Sequence, residues 1–263
     1  MTEKRFQVWS HGSVPIPIPG TGQLCRPNTL AAFEAAIATG VDGIEADVCC
    51  SLDRKPIIYH PALSGYDPRQ MLWEEIRSSC PWVPSLGELA TLLIEHPQIR
   101  CFLDMKDGAH DLLSAIIRMI EDHGLYSRFI ITAPRARIPL MGQYTDWRVL
   151  DRAKSTVARV RTHVIDTLPL NMAGLAKKAR ANIISFGWFD DSVLSKLLFN
   201  AIFRTGLRKI RDEVVRAQET GVSVLGGIVS SREALEYFLE AGVDGVVVED
   251  PAMALSFRAN QKP

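Results

Sequence analysis

Short apolar runs alternate with helical patterns along nearly all of the 263 residues, acids and bases gather at the ends of those runs, and the length suits one closed barrel. These three observations predict an α/β chain, a single (β/α)8 TIM barrel occupying 1–263 as one domain. Strands separated by helices run parallel and are covered by those helices on the outside. The expected barrel strands lie at roughly 5–10, 43–48, 100–105, 128–133, 147–151, 182–187, 222–226 and 243–248.

The helices between them carry their own start and stop signals. One over 28–40 opens at N-T-L-A-A-F-E-A-A and closes at Gly40, one over 85–95 opens with the capping pattern S-L-G-E, and one over 109–123 closes at Gly124. I-I-Y-H at 57–60 adds a short strand that returns beside the second barrel strand and delivers His60 to its rim. The segment after His11, G-S-V-P-I-P-I-P-G-T-G-Q-L-C-R-P, reads as a loop over the same rim, because proline lacks the amide that helix and ladder need. A long helical region at 190–220 carries Leu194, Leu197, Leu198, Phe199, Ile202 and Phe203. It reads as a helix packed on the barrel rather than a patch for lipid.

Composition narrows the function classes. Thirty basic residues against 30 acidic ones leave no global field for polyanions, so no nucleic-acid partner is expected. The five cysteines are odd in number, two of them adjacent at Cys49 and Cys50, and lack paired C-x-x-C spacing, which fits reduced thiols in the cytoplasm. No run approaches the ~20 apolar residues of a transmembrane segment, and the amino terminus shows no apolar signal core. A soluble cytoplasmic protein is expected; oligomeric state is not legible.

Six side chains in the first half carry the chemistry. His11 closes the first strand, Glu45 and Asp47 sit two apart in V-D-G-I-E-A-D-V, His60 closes the short return strand, and Asp104 and Lys106 sit two apart in C-F-L-D-M-K-D. Residues two apart on a strand project from one side, and parallel barrels build their sites at strand ends. Three converging carboxylates repel one another unless a cation lies between them, which points to one hard divalent cation, Mg2+ or Ca2+, on Glu45, Asp47 and Asp104. Lys106 would neutralise a phosphate oxygen, or pair with a carboxylate. His11 and His60 are the candidate acid and base of a phosphoryl transfer, which needs a proton acceptor on one oxygen and a donor on the other. Of the other histidines, His96 and His163 read as superficial, His123 as a cation at a helix end, and His110 as a residue near the mouth.

With these motifs in place the chain resembles the glycerophosphodiester phosphodiesterase family. The resemblance rests on His11-Gly12, N-T-x-x-A-F from Asn28 to Phe33, G-V-D-G-I-E-A-D-V from Gly40 to Val48, and I-I-Y-H ending at His60. It continues through V-P-S-L-G-E-L from Val83, D-x-K from Asp104 to Lys106 and G-V-D-G-V-V-V-E-D-P from Gly242. It implies hydrolysis of glycerol phosphodiesters to glycerol phosphate and an alcohol, with one divalent cation on Glu45, Asp47 and Asp104. It also implies His11 and His60 as acid and base, and Lys106 on phosphate. The chain departs from the family pattern at Gly12, where arginine is usual, at Pro27, where glutamate is usual, at Asp104, commonly glutamate, and at G-G-I-V from Gly226 to Val229, where the family has W-T-V-N. Arg26 is the candidate replacement for the missing phosphate-binding guanidinium. The D-x-K form and the lost arginine are also similar to sphingomyelinase-D-type phospholipases D, which share the barrel and act on choline-type lysolipids or sphingolipids, often with a cyclic phosphate product. Trp188, Phe189 and the apolar 194–203 segment would suit a lysolipid chain. A non-catalytic phosphodiester-binding barrel is the remaining alternative.

Overall fold

The computed structural model describes residues 5–12, 25–60, 67–108, 110–137, 145–187 and 193–260, without the side chains of 68, 193–196, 198–200 and 202–204. Most of the proline-rich loop, Trp188, Phe189 and the side chains of Leu194, Leu198, Phe199, Ile202 and Phe203 lie outside the described residues.

Strands β1 (Gln7–Ser10), β2 (Gly43–Cys50), β3 (Pro56–Ile58), β4 (Arg100–Met105), β5 (Phe129–Pro134), β6 (Arg161–Asp166), β7 (Ile183–Phe186), β8 (Ser223–Val229) and β9 (Gly245–Val248) form one sheet. Its order is β1-β9-β8-β7-β6-β5-β4-β2-β3, and an added β1–β2 pairing closes eight parallel strands into a barrel. β3 stands outside the ring, antiparallel to β2 with Ile58 opposite Val48. Helices α1 (Leu30–Ala38), α2 (Trp73–Ser79), α3 (Leu86–Glu95), α4 (His110–Asp122), α5 (Arg148–Thr156), α6 (Met172–Ala179), α7 (Val193–Glu219), α8 (Arg232–Ala241) and α9 (Pro251–Asn260) lie between the strands or follow them. Among the described residues no helix is long and apolar enough to cross a membrane.

The helix signals act as their residue types dictate. Ser85 and Glu88 cap α3 reciprocally, the Ser85 hydroxyl accepting from the Glu88 amide and the Glu88 carboxylate from the Ser85 amide. Gly40, Gly124 and Gly242 follow helix ends at positive φ.

One expected strand is corrected. W-R-V-L-D at 147–151 enters α5, where Val149, Leu150 and Ala153 share a buried helical stripe. The fifth position of the ring belongs instead to R-T-H-V-I-D, strand β6. Only Val164 and Ile165 of its six residues are apolar, and His163 stands on the inward face. That residue is not superficial: it is 2% exposed, its Nε2 is 2.9 Å from the Ser185 hydroxyl and its Nδ1 3.3 Å from the Thr132 hydroxyl. Its ring lies 4.4 Å from that of Phe102, which in turn stacks on Trp9 at 3.9 Å.

Alternation along each strand separates two cores. Ile44, Ala46 and Val48 of β2 and Cys101, Leu103 and Met105 of β4 face the helices, in the layer that holds Phe33, Leu93, Ile116 and Phe238. The opposite parity faces the barrel axis, where Trp9, Phe102, Ile130, Ile183, Leu225 and Val247 fill the lower layer. Gly43 is required by this layer, since a Cβ there would fall 2.3 Å from the Trp9 indole.

The sequence V-D-G occurs before both β2 and β9, and its two copies do the same work. The Asp42 carboxylate accepts from the Val8 amide at 2.8 Å, and the Asp244 carboxylate from the Val224 amide at 2.7 Å. Each aspartate thus fastens the start of its own strand to a neighbouring one.

Candidate active site

The parity that sends Trp9 and Phe102 to the axis sends His11, Glu45, Asp47, Asp104 and Lys106 there too, one or two steps nearer the carboxyl ends of their strands. Asp47 lies opposite Asp104 in the β2–β4 register. Glu45, Asp47 and Asp104 each offer an oxygen within 4.8 Å of the others, and all three are buried. The Lys106 ammonium sits among them, 2.8 Å from Asp47 Oδ1 and hydrogen-bonded to Asp104 Oδ2. His11 brings its Nε2 to 3.8 Å from Glu45 Oε2. His60 follows β3 directly, after a Tyr59 amide that donates to the Asp47 carbonyl at 2.9 Å. It is close enough for the charges of Asp47, Lys106 and Asp104 to act on it.

Two further residues hold the carboxylates. Asn28 Nδ2 donates to Asp47 Oδ2 at 2.6 Å while Asn28 Oδ1 accepts from the Asp47 amide at 3.0 Å. Asn28 adopts a left-handed φ of 55°, a conformation asparagine tolerates better than most residues. The Gly12 amide donates to Glu45 Oε2 at 3.0 Å, and a Cβ on Gly12 would fall 2.0 Å from the Glu45 carbonyl oxygen. The site therefore uses Gly12 for its amide and has no room there for a side chain. Sequence reasoning placed Asn28 in a motif without a role; the signal it left was an asparagine just ahead of the helix-capping Thr29.

Electrostatics in this buried setting follow the charge count. Burial, reinforced by Asp47 and Asp104, pushes the Glu45 carboxyl well above the usual carboxylate range. Burial likewise raises Asp104, with Lys106 opposing. Burial works against ionised Asp47 as well, but Lys106 and then His60 outweigh it and hold that carboxyl low. Lys106 loses hydration on burial, yet Asp104, Asp47 and Glu45 keep its ammonium firmly protonated. Burial lowers His11 to about 4 against the pull of Asp47, and lowers His60 too. Three carboxylates and one ammonium would leave the fully ionised cluster two charges negative. Asp104 Oδ1, buried, has no hydrogen-bond partner among the described residues. An all-oxygen donor set, a deficit of two positive charges and an orphaned carboxylate oxygen fit one hard divalent cation.

A cavity of about 480 Å³ opens beside His60 and Asn28. Ile58, Met71, Trp82 and Val83 give it an apolar wall. Arg26 stands on this wall, exposed, with its guanidinium 3.9 Å above the Trp82 ring. The remaining histidines stay out of the cluster: His110 and His123 are exposed, and His96 caps the end of α3.

Residues 19–65 match the model of the Glycerophosphoryl diester phosphodiesterase family. The chain shares that signature and its barrel with the glycerophosphoryl diester phosphodiesterases. The matched stretch contains Asn28, Glu45, Asp47 and His60. Among solved structures, a glycerophosphodiester phosphodiesterase from Parabacteroides distasonis is 14% identical, with 98% of this chain and 99% of that one covered at a TM-score of 0.74. One from Thermotoga maritima is 15% identical over 97% and 99% of the two chains, with a TM-score of 0.69. An Oleispira antarctica phosphodiesterase, solved with the product sn-glycerol-3-phosphate, is 15% identical over 97% of each chain, with a TM-score of 0.70. At these identities the likeness to the phosphodiesterase structures is one of fold. No curated protein matches the sequence.

Proposed function

We propose that this protein is a metal-dependent phosphoric diester hydrolase that cleaves glycerophosphodiesters to glycerol phosphate and an alcohol, the whole chain forming one catalytic barrel. The observation that carries the reading is the buried Glu45–Asp47–Asp104 triad, flanked by two histidines at the carboxyl end of the barrel, with an Asp104 oxygen that has no hydrogen-bond partner among the described residues. The match over residues 19–65 and a barrel neighbour holding sn-glycerol-3-phosphate support the substrate class.

Glu45, Asp47 and Asp104 would hold Mg2+ or Ca2+, which supplies charge neutralisation to the phosphate. Asn28 and the Gly12 amide fix the orientation of Asp47 and Glu45, leaving fewer carboxylate positions to be frozen out on binding. Lys106 places a permanent ammonium beside the phosphate. His11 and His60, both kept neutral by burial, are suited to accept a proton; one takes it from the attacking oxygen, and the other, once protonated, delivers one to the departing oxygen. The five cysteines, all free, fit a reducing compartment such as the cytoplasm.

The test is hydrolysis of a panel of glycerophosphodiesters and lysophospholipids with Mg2+ or Ca2+, then with chelator, following both products. Chelator-sensitive release of glycerol phosphate and alcohol, lost in His11→Ala and His60→Ala, is the expected result. Cyclic phosphate from choline lysolipids would move the protein to the phospholipase D type. Tight diester binding without cleavage would make it a binding barrel.

A further inference from the structure

We infer that Arg26, stacked on Trp82, makes the cavity beside His60 selective against cationic substituents, so that the group bound there is an uncharged or acidic alcohol with apolar surface. The inference rests on the phosphodiesterase reading and deepens it. The cavity shares His60 and Asn28 with the catalytic cluster, so a diester whose phosphate lies on Lys106 projects one substituent into it. At about 480 Å³ it falls within the ordinary range for small-ligand sites.

Three observations set its preference. Among the described lining residues Arg26 is the one side chain of permanent charge and none is a carboxylate. Arg26 also has no ion-pair partner among the described residues, so its charge is not cancelled locally. The Trp82 ring is the surface on which choline would be received, since aromatic faces attract quaternary ammonium groups. That face carries the Arg26 guanidinium at 3.9 Å instead. With one divalent cation the catalytic cluster is neutral, three carboxylates against Lys106 and the ion, and the diester phosphate is common to every ester compared, so Arg26 is the charge that separates them. Choline and ethanolamine esters meet a like charge there, whereas an inositol or glycerol ester meets a hydrogen-bond donor and an apolar wall of Ile58, Met71 and Val83.

The experiment compares glycerophosphoinositol with glycerophosphocholine as substrates of the wild type, Arg26→Glu and Arg26→Lys, reading the ratio of the two kcat/KM values. The wild type should favour the inositol ester by about tenfold, Arg26→Lys should keep that direction, and Arg26→Glu should reverse it. Equal use of both esters by the wild type, or a ratio that Arg26→Glu does not move, overturns the inference while leaving the hydrolase reading intact. If neither ester is cleaved, the wider substrate panel decides the hydrolase reading by itself. Calorimetric binding of the same two diesters to the same three proteins then decides the inference, the inositol ester binding more tightly to the wild type if it holds and both binding equally if it does not.

Discussion

Lowering the pH from 7 to 5 should cost the barrel about 2 kcal/mol of folding stability through His163 alone. His163 is buried on the axis between Phe102 and the hydroxyls of Thr132 and Ser185, and burial lowers its pKa from the ordinary 6.5 to about 3. The unfolded chain takes up this proton as the pH falls through 6.5, while the folded chain holds out until about 3. Between those values the unfolded state binds more protons and gains stability with each step of acidification. At pH 5 the unfolded side chain is about 1.5 units below its pKa, which at about 1.36 kcal/mol per unit gives the loss stated. Nothing of this contribution is lost above neutrality. Urea unfolding of the wild type and of His163→Gln at both pH values isolates it, because the buried carboxylates of the Glu45–Asp47–Asp104 cluster are common to the two proteins. The wild type should lose about 2 kcal/mol more than the variant between pH 7 and pH 5. An equal loss in both would refute a neutral buried imidazole at this position.

Other consequences are local to the site and its frame. Asn28→Ala removes both hydrogen bonds to Asp47 and should weaken Mg2+ or Ca2+ binding by about 10- to 100-fold in calorimetry. Asp104→Asn should abolish chelator-sensitive activity, read as a loss of more than about 100-fold in kcat/KM. Gly12→Ala drives a Cβ against the Glu45 carbonyl and should destabilise the protein by about 1–3 kcal/mol in thermal melts, and Gly12→Arg should not restore the usual phosphate contact. Ser85→Ala breaks the reciprocal cap of α3 and should cost about 1 kcal/mol while leaving metal affinity unchanged.

The clustered carboxylates were legible because an acid in an otherwise apolar strand stands out, and period-two alternation says that Glu45 with Asp47, and Asp104 with Lys106, share a side. The caps of α1 and α3 and the glycine stops were legible for the same local reason. Strand β6 was not, because R-T-H-V-I-D holds only two apolar residues, side by side; its His163 imidazole is satisfied by Thr132 and Ser185, partners that only the closed barrel brings to it. V-L-D at 149–151 misled in the opposite sense, since three residues cannot separate period two from period 3.6. Asn28 and Gly12 serve through a side-chain amide and a backbone amide aimed at other residues' carboxylates. Such roles depend on register between distant segments, and no spacing within the sequence encodes them. The stack of Arg26 on Trp82 joins a loop to the segment after α2 and was hidden for that reason.

Every residue assigned to the chemistry lies at or before Lys106, yet the strand that delivers His11 is held chiefly by the last one. β1 meets β2 at two positions but β9 at four, from Gln7 with Gly245 to Ser10 with Val248, and the His11 amide donates to the Val248 carbonyl at 2.9 Å. Pairing segments from opposite ends of a chain pays the largest loop-closure entropy and comes late in folding. An amino-terminal fragment would therefore contain every residue of the candidate site and still not position them. If the site hydrolyses diesters as proposed, competence requires the final strand to dock on β1, and a chain lacking that strand should be inactive.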